Sequence, residues 1–178
     1  MRTKVQFHPA IAWPRVLLHH CGWLYEERTV GLLKGLIQTP VARPGMLVGE
    51  ALRICVDKGV PGIPYMDAEG RIAGRFSVRD TFRITSIPPD MIKGAHLIGH
   101  EALHLELSKD HFEGVFNRPI NDQILGDIAF LSSNAQITKA MALMEKFNSS
   151  YLFVIDDGHH LGVVTRLGLT RVLLEEQG

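Results

Sequence analysis

The chain has 178 residues, with 19 lysines and arginines against 19 aspartates and glutamates. Hydrophobic residues make up 46% and charged residues 21%, a globular balance that excludes a disordered chain. Zero formal charge excludes the broad basic field of non-specific nucleic-acid binding, but not a local cluster of arginines around one small anion. Cys21 and Cys55 are too few for a disulfide scaffold or a zinc ribbon. No run reaches the roughly 18 apolar residues of a membrane helix, and Pro9, Pro14 and Arg15 interrupt any signal-peptide pattern. The expectation is a cytoplasmic protein that binds neither membrane nor nucleic acid.

Residues 1–28 hold Trp13, Trp23 and the His19-His20-Cys21 run without a period, and are read as an N-terminal extension. Ala51, Leu52, Cys55 and Val56 then recur at helical spacing. Ile63-Pro64-Tyr65-Met66-Asp67 reads as a strand, Asp67-Ala68-Glu69-Gly70 as a turn, and Arg71 to Ser77 as the return strand. A closing helix completes a unit over 29–84. In residues 85–121, Pro88-Pro89 break the chain, Asp90 suits an N-cap, and a helix is predicted from about Met91 to Leu107.

Residues 122–178 repeat the first unit. Lys139 to Met144 fall on Glu50 to Cys55 at an offset of 89, and Val154-Ile155-Asp156 fall on Tyr65-Met66-Asp67. After a one-residue gap the offset is 88, and Gly162-Val163-Val164-Thr165 fall on Gly74-Arg75-Phe76-Ser77. Ala140, Leu143, Met144 and Phe147 mark the helix face. Ser150 to Ile155 is a β-branched and aromatic strand that ends at the turn signal Asp156-Asp157-Gly158. His159-His160 fall in that turn and are expected to face solvent. The predicted class is α/β (α+β): two tandem units, each strand–helix–strand–strand–helix, related by an internal pseudo-two-fold, with a helical insert between them.

Gly74-Arg75-Phe76-Ser77-Val78-Arg79-Asp80 resembles the closing signature of a cystathionine β-synthase (CBS) domain: Gly, two strand residues, Ser or Thr, two variable residues, Asp. Thr29-Val30-Gly31 and Pro40-Val41 resemble its opening, and Glu50-Ala51-Leu52 with Ile63 to Asp67 its helix and central strand. The second copy resembles it from about Ile124 to Leu174. The resemblance implies a tandem pair that forms a disc-like module, homodimerises, and holds an adenosine-containing ligand such as AMP, ADP, ATP or S-adenosylmethionine in the cleft between the copies. It implies regulation of a protein partner that the sequence does not name, with no catalysis and no cofactor.

Within that resemblance the residues suit the ligand. A carboxylate accepts two hydrogen bonds from a ribose diol, which fits Asp80. Ser77 and the backbone N–H groups at the start of the following helix suit a phosphate, and Arg79, with Arg75, suits its charge. Ile63 and Pro64 offer an apolar edge for adenine, and the backbone near Val41 can read its polar edge. The same Ser-x-x-Asp spacing is also an ordinary helix cap. In the second copy, Thr165-Arg166-Leu167-Gly168 keeps Thr165 and Arg166 for a phosphate but has glycine in place of the ribose carboxylate. One competent site is therefore expected, or one strong and one weak, with Arg75, Arg79 and Arg166 converging on the phosphate.

Two other readings stand beside this one. A dimeric scaffold with a degenerate cleft is consistent with Gly168. A zinc hydrolase is suggested by His100-Glu101-Ala102-Leu103-His104, since histidines at i and i+4 share a helix face. However, His96, His100 and His104 project opposite the apolar stripe Met91, Ala95, Ile98, Ala102 and Leu105. That is the pattern of a solvated or interfacial face, so no metal site and no catalytic residue is assigned.

Overall fold

The computed structural model describes residues 31–85, 93–94 and 109–177. The N-terminal extension and the His-Glu-x-x-His run lie outside the described residues. So does the predicted insert helix, except for residues 93–94.

The described chain opens with a 3-10 turn at Leu32–Gly35 and a two-residue strand β1 at Leu36–Ile37. Helix α1 follows at Val48–Lys58, then strands β2 at Gly62–Met66 and β3 at Ile72–Ser77, and helix α2 at Val78–Thr85. Helix α3 spans Lys109–Phe116, in a stretch the sequence reading left unassigned, and a 3-10 turn spans Ile120–Gln123. The second unit is β4 at Phe130–Leu131, α4 at Ile137–Lys146, β5 at Tyr151–Asp156, β6 at His159–Thr165 and α5 at Arg166–Glu175.

Local chemistry explains these boundaries. The Glu50 carboxylate accepts from the Leu47 N–H at 3.1 Å and satisfies a free donor at the start of α1. Gly59 ends that helix in the left-handed region at φ 64°, the usual geometry of a glycine stop. Val48, Ala51, Leu52 and Cys55 form its buried face, and burial pushes the Cys55 thiol up to about 12. Between β5 and β6, Asp157 and Gly158 both have positive φ, the tight two-residue hairpin turn. The turn is shorter than expected: β6 already begins at His159, which pairs with Asp156. His160 is therefore a half-buried strand residue and not a turn residue in solvent. Its Nε2 lies 2.9 Å from Thr39 Oγ1, and its ring meets Phe153 edge-on.

The repeat is carried into the pairing. In the second unit, β4 runs parallel to β5 and β5 antiparallel to β6, giving the sheet order β1-β6-β5-β4. Its outer strand β1 comes from the beginning of the described chain, with Ile37 opposite Val163. In the first unit, the β2–β3 hairpin is flanked by a parallel bridge from Ala42 to Tyr65 and an antiparallel bridge from Leu125 to Arg75. These bridges reproduce Leu131–Val154 and Ile37–Val163 at the offsets of 89 and 88. The segment that precedes each unit is thus laid along the hairpin of the other.

This exchange explains the glycine that opens the signature. A Cβ on Gly74 would stand 2.6 Å from the Leu125 carbonyl oxygen, and one on Gly162 would stand 2.6 Å from that of Ile37. The crossing backbone leaves no room for a side chain at either place. The core is shared in the same way. One buried cluster joins Ala42, Val48, Ile63 and Phe76 of the first unit to Tyr151, Phe153 and Val163 of the second. The other cluster joins Leu32 to Met144, Leu152, Val164 and Leu169.

Candidate functional site

The exchange puts the end of β3 and the start of α2 against the second unit, and a cavity of about 210 Å³ lies between them. Ser77, Arg79 and Asp80 line one side of it. The other side comes from the second unit: Ile128 and Ala129 before β4, Phe147 to Ser150 after α4, and Tyr151 and Phe153 on β5.

Asp80 is only 7% exposed, and it belongs to a polar network. Its Oδ2 accepts from Arg75 Nη1 at 2.8 Å, and its Oδ1 from Arg83 Nη2 at 3.1 Å. Arg75 also donates to the Asp127 carbonyl at 2.9 Å and to the Tyr151 hydroxyl at 3.3 Å. It thereby ties β3 of the first unit to two segments of the second. Burial pushes the Tyr151 hydroxyl above its ordinary range, against the opposing pull of Arg75. Ser77 is buried, and its Oγ accepts from the Asp80 N–H at 3.4 Å, so it caps α2 while it lines the cavity. Arg79 is exposed at the cavity wall and makes no ion pair or hydrogen bond among the described residues.

The residues singled out for the adenine side lie elsewhere. Ile63 is completely buried in the shared core and Pro64 is buried beside it, while Val41 is half-buried. None of the three is among the residues lining this cavity. Under the repeat offset of 89, the counterpart of Pro64, Phe153, does line it, whereas that of Val41, Phe130, does not. The sequence reading set the ligand between the copies but drew the adenine edge from the unit that holds Asp80, whereas the cavity combines the signature of one unit with the wall of the other. Asn148, Ser149 and Tyr151 were missed for that reason. The available signal was Asn148, which has a left-handed φ of 47° at the position of Gly59.

Thr165 and Arg166 lie away from this cavity, in a shallower groove with Gly59, Pro61, Ser150, Leu167 and Thr170. Thr165 Oγ1 accepts from the Gly168 N–H at 3.0 Å and caps α5. Arg166 forms an ion pair with Glu145 and donates to the Ser149 carbonyl. The three arginines therefore do not converge: Arg75 is held by Asp80, and Arg166 by Glu145. The counterpart positions carry different residues. The offsets put Val163, Leu167 and Gly168 where the first site has Arg75, Arg79 and Asp80, and Gly62 where it has Tyr151. A Cβ on Gly62 would stand 2.5 Å from the Tyr151 hydroxyl.

Residues 124–175 match the family model of the CBS domain. That segment carries the CBS-domain pattern, and the chain has the fold of solved CBS-domain proteins. The match covers the second unit, and the first unit repeats its strand pairing at the same offsets.

Solved structures share the tandem CBS fold. A CBS-domain-containing protein of Agrobacterium tumefaciens is 16% identical, with a TM-score of 0.56 over 84% of this chain and 98% of that one. CBSX2, solved in complex with AMP, is 18% identical, with a TM-score of 0.57 over 83% of this chain and 98% of that one. A Methanocaldococcus jannaschii protein, described as a proposed archaeal homolog of γ-AMPK, is 15% identical, with a TM-score of 0.58 over 83% of this chain and 49% of that one. At these identities the likeness shows the fold.

In sequence, the A-adding tRNA nucleotidyltransferase of Aquifex aeolicus is 23% identical over 146 residues. The match covers 81% of this chain but spans only 14% of that enzyme's length. An uncharacterized protein of Methanocaldococcus jannaschii is 28% identical over 125 residues, 65% of this chain and 67% of that one. Among the described residues no helix is long and apolar enough to cross a membrane, and no group of three or more potential ligands is placed to hold a metal.

Proposed function

We propose that this CBS pair is a regulatory module, not a catalyst, and that it binds one adenosine-containing ligand per chain in the cavity between its units. The observation that carries the reading is the buried carboxylate of Asp80, which faces an apolar wall supplied by the other unit. Asp80 takes the ribose hydroxyls, Ile128, Ala129 and Phe153 border the base, and Ser77, Arg79 and the N-terminus of α2 take the phosphate. Small-molecule pockets run to roughly 300–1,000 Å³, so a nucleotide would leave its charged end at the mouth, where Arg79 is exposed. The AMP complex of CBSX2 and the description of the archaeal γ-AMPK homolog support this ligand class. The groove at Thr165 and Arg166 has no ribose carboxylate and is proposed as a weak site or none. A homodimer that alters a protein partner in the cytoplasm completes the proposal.

Titration calorimetry with adenosine, AMP, ADP, ATP and S-adenosylmethionine tests it. The expected result is one site per chain for at least one of them, weakened about 10-fold or more in Asp80→Ala, the loss of a hydrogen bond to a charged group. Two equal sites per chain, or no heat from any of the five at millimolar concentration, overturns it. A second reading, a scaffold without ligand, draws on one observation: both Asp80 oxygens are already bonded within the protein. The same titration separates the two.

A further inference from the structure

The Asp80 carboxylate is occupied at both oxygens, but its two partners are held very differently. Arg75 is 20% exposed in its side chain and is fixed by the Asp127 carbonyl, the Tyr151 hydroxyl and, at 3.6 Å, the Asp127 carboxylate. Arg83 is 54% exposed, and its contact to Asp80 Oδ1 is its one interaction among the described residues. Arg75 lines the cavity and Arg83 does not. Displacing Arg83 leaves the cavity walls standing, whereas displacing Arg75 would strip a half-buried guanidinium of its main counter-charge and loosen the contact between the units. An exposed pair three residues apart on a helix is weak, because water and salt compete for both partners.

We propose that Arg83 is a specificity-determining residue of the cavity. It is an internal competitor that holds the carboxylate oxygen a sugar hydroxyl must take, and so sets the affinity for ligands that carry a ribose diol. When the diol binds, Oδ1 passes from Arg83 to the hydroxyl while Oδ2 stays with Arg75, and Arg83 swings into solvent. The proposal rests on the ligand reading above. It goes further in assigning a role to a residue outside the cavity and outside the signature.

The test titrates the full chain and its Arg83→Gln variant with adenosine and with 2′,3′-dideoxyadenosine. These probes lack a phosphate, so losing a cation elsewhere on the surface does not confuse the result. In Arg83→Gln, adenosine should bind about two- to five-fold more tightly, the release of one exposed ion pair. Dideoxyadenosine, which has no 2′- or 3′-hydroxyl to exchange, should bind as it does to the parent. Arg83→Lys keeps the charge without the forked geometry, should fall between them, and serves if the glutamine variant does not fold. A merely structural Arg83 would change the melting temperature and leave the ratio of the two affinities alone. An unchanged ratio, or weaker adenosine binding in both variants, overturns the role of Arg83 while the ligand reading stands. A parent chain that binds neither adenosine nor AMP overturns both.

Discussion

Asp80→Ala tests the central network directly, without any ligand. Asp80 is buried and accepts from two guanidinium groups at 2.8 and 3.1 Å. The bond to Arg75 is sheltered, and a sheltered hydrogen bond to a charged group is worth about 1.5–3 kcal/mol. The bond to the exposed Arg83 adds about 0.2–1 kcal/mol. Leaving a buried charge fully unpaired costs about 3–5 kcal/mol, but Arg75 keeps the Asp127 carbonyl and the Tyr151 hydroxyl, so the cost stays below that range. The expected loss is about 2–3 kcal/mol, a fall in melting temperature of about 4–12 °C for a chain of this size. Urea unfolding and a calorimetric scan would measure it. The double variant with Arg75→Met should lose less than the sum of the two single changes, because the partners share one interaction. If Asp80→Ala melts within about 1 °C of the parent, or the two changes simply add, the network does not hold the units together.

The crossing backbones make a matched pair of predictions. Gly74→Ala and Gly162→Ala each place a Cβ 2.6 Å from a carbonyl oxygen of the exchanged segment. Each should cost about 1–3 kcal/mol in urea unfolding, and a neutral result at either position would refute the crossing there. His160 predicts a pH dependence. Burial holds its imidazole below the ordinary value of 6.5, against a smaller opposing contribution from Thr39. The unfolded chain therefore takes up the proton first. This contribution to stability is complete above about pH 6.5 and is lost as the pH falls through the lower folded value. Melting temperatures between pH 5 and 8 should fall on the acid side, and His160→Gln should flatten the slope; an unchanged slope removes His160 as its source.

Much of the fold was written locally. The offsets of 89 and 88 carry through to single bridges, because each unit uses the same turn glycine, the same helix face and the same hairpin. The contents of the cavity were less legible, for a physical reason. Hydrophobic period and turn chemistry describe neighbours along the chain, whereas Asp80 lines one cavity with Tyr151 and Ala129 only because the two units pack together. Ile63 and Pro64 looked like an adenine edge, since an apolar strand beside the signature is what sequence proximity offers; burial in the shared core is a property of the pair. His160 was misread as a turn residue although Asp157-Gly158 is itself the signal of a two-residue turn, which already puts His159 and His160 on the return strand.

The exchanged segments also set an order of events during synthesis. Leu36 and Ile37 leave the ribosome long before their partners Val164 and Val163. The hairpin of the first unit waits in turn for Leu125 before it gains its antiparallel flank. Pairings this far apart in sequence form late and slowly, so neither unit completes its sheet while the other is unmade. A fragment cut between the units would lose an edge on both sides of the cut. The pair, not the repeat, is the smallest piece of this chain expected to fold.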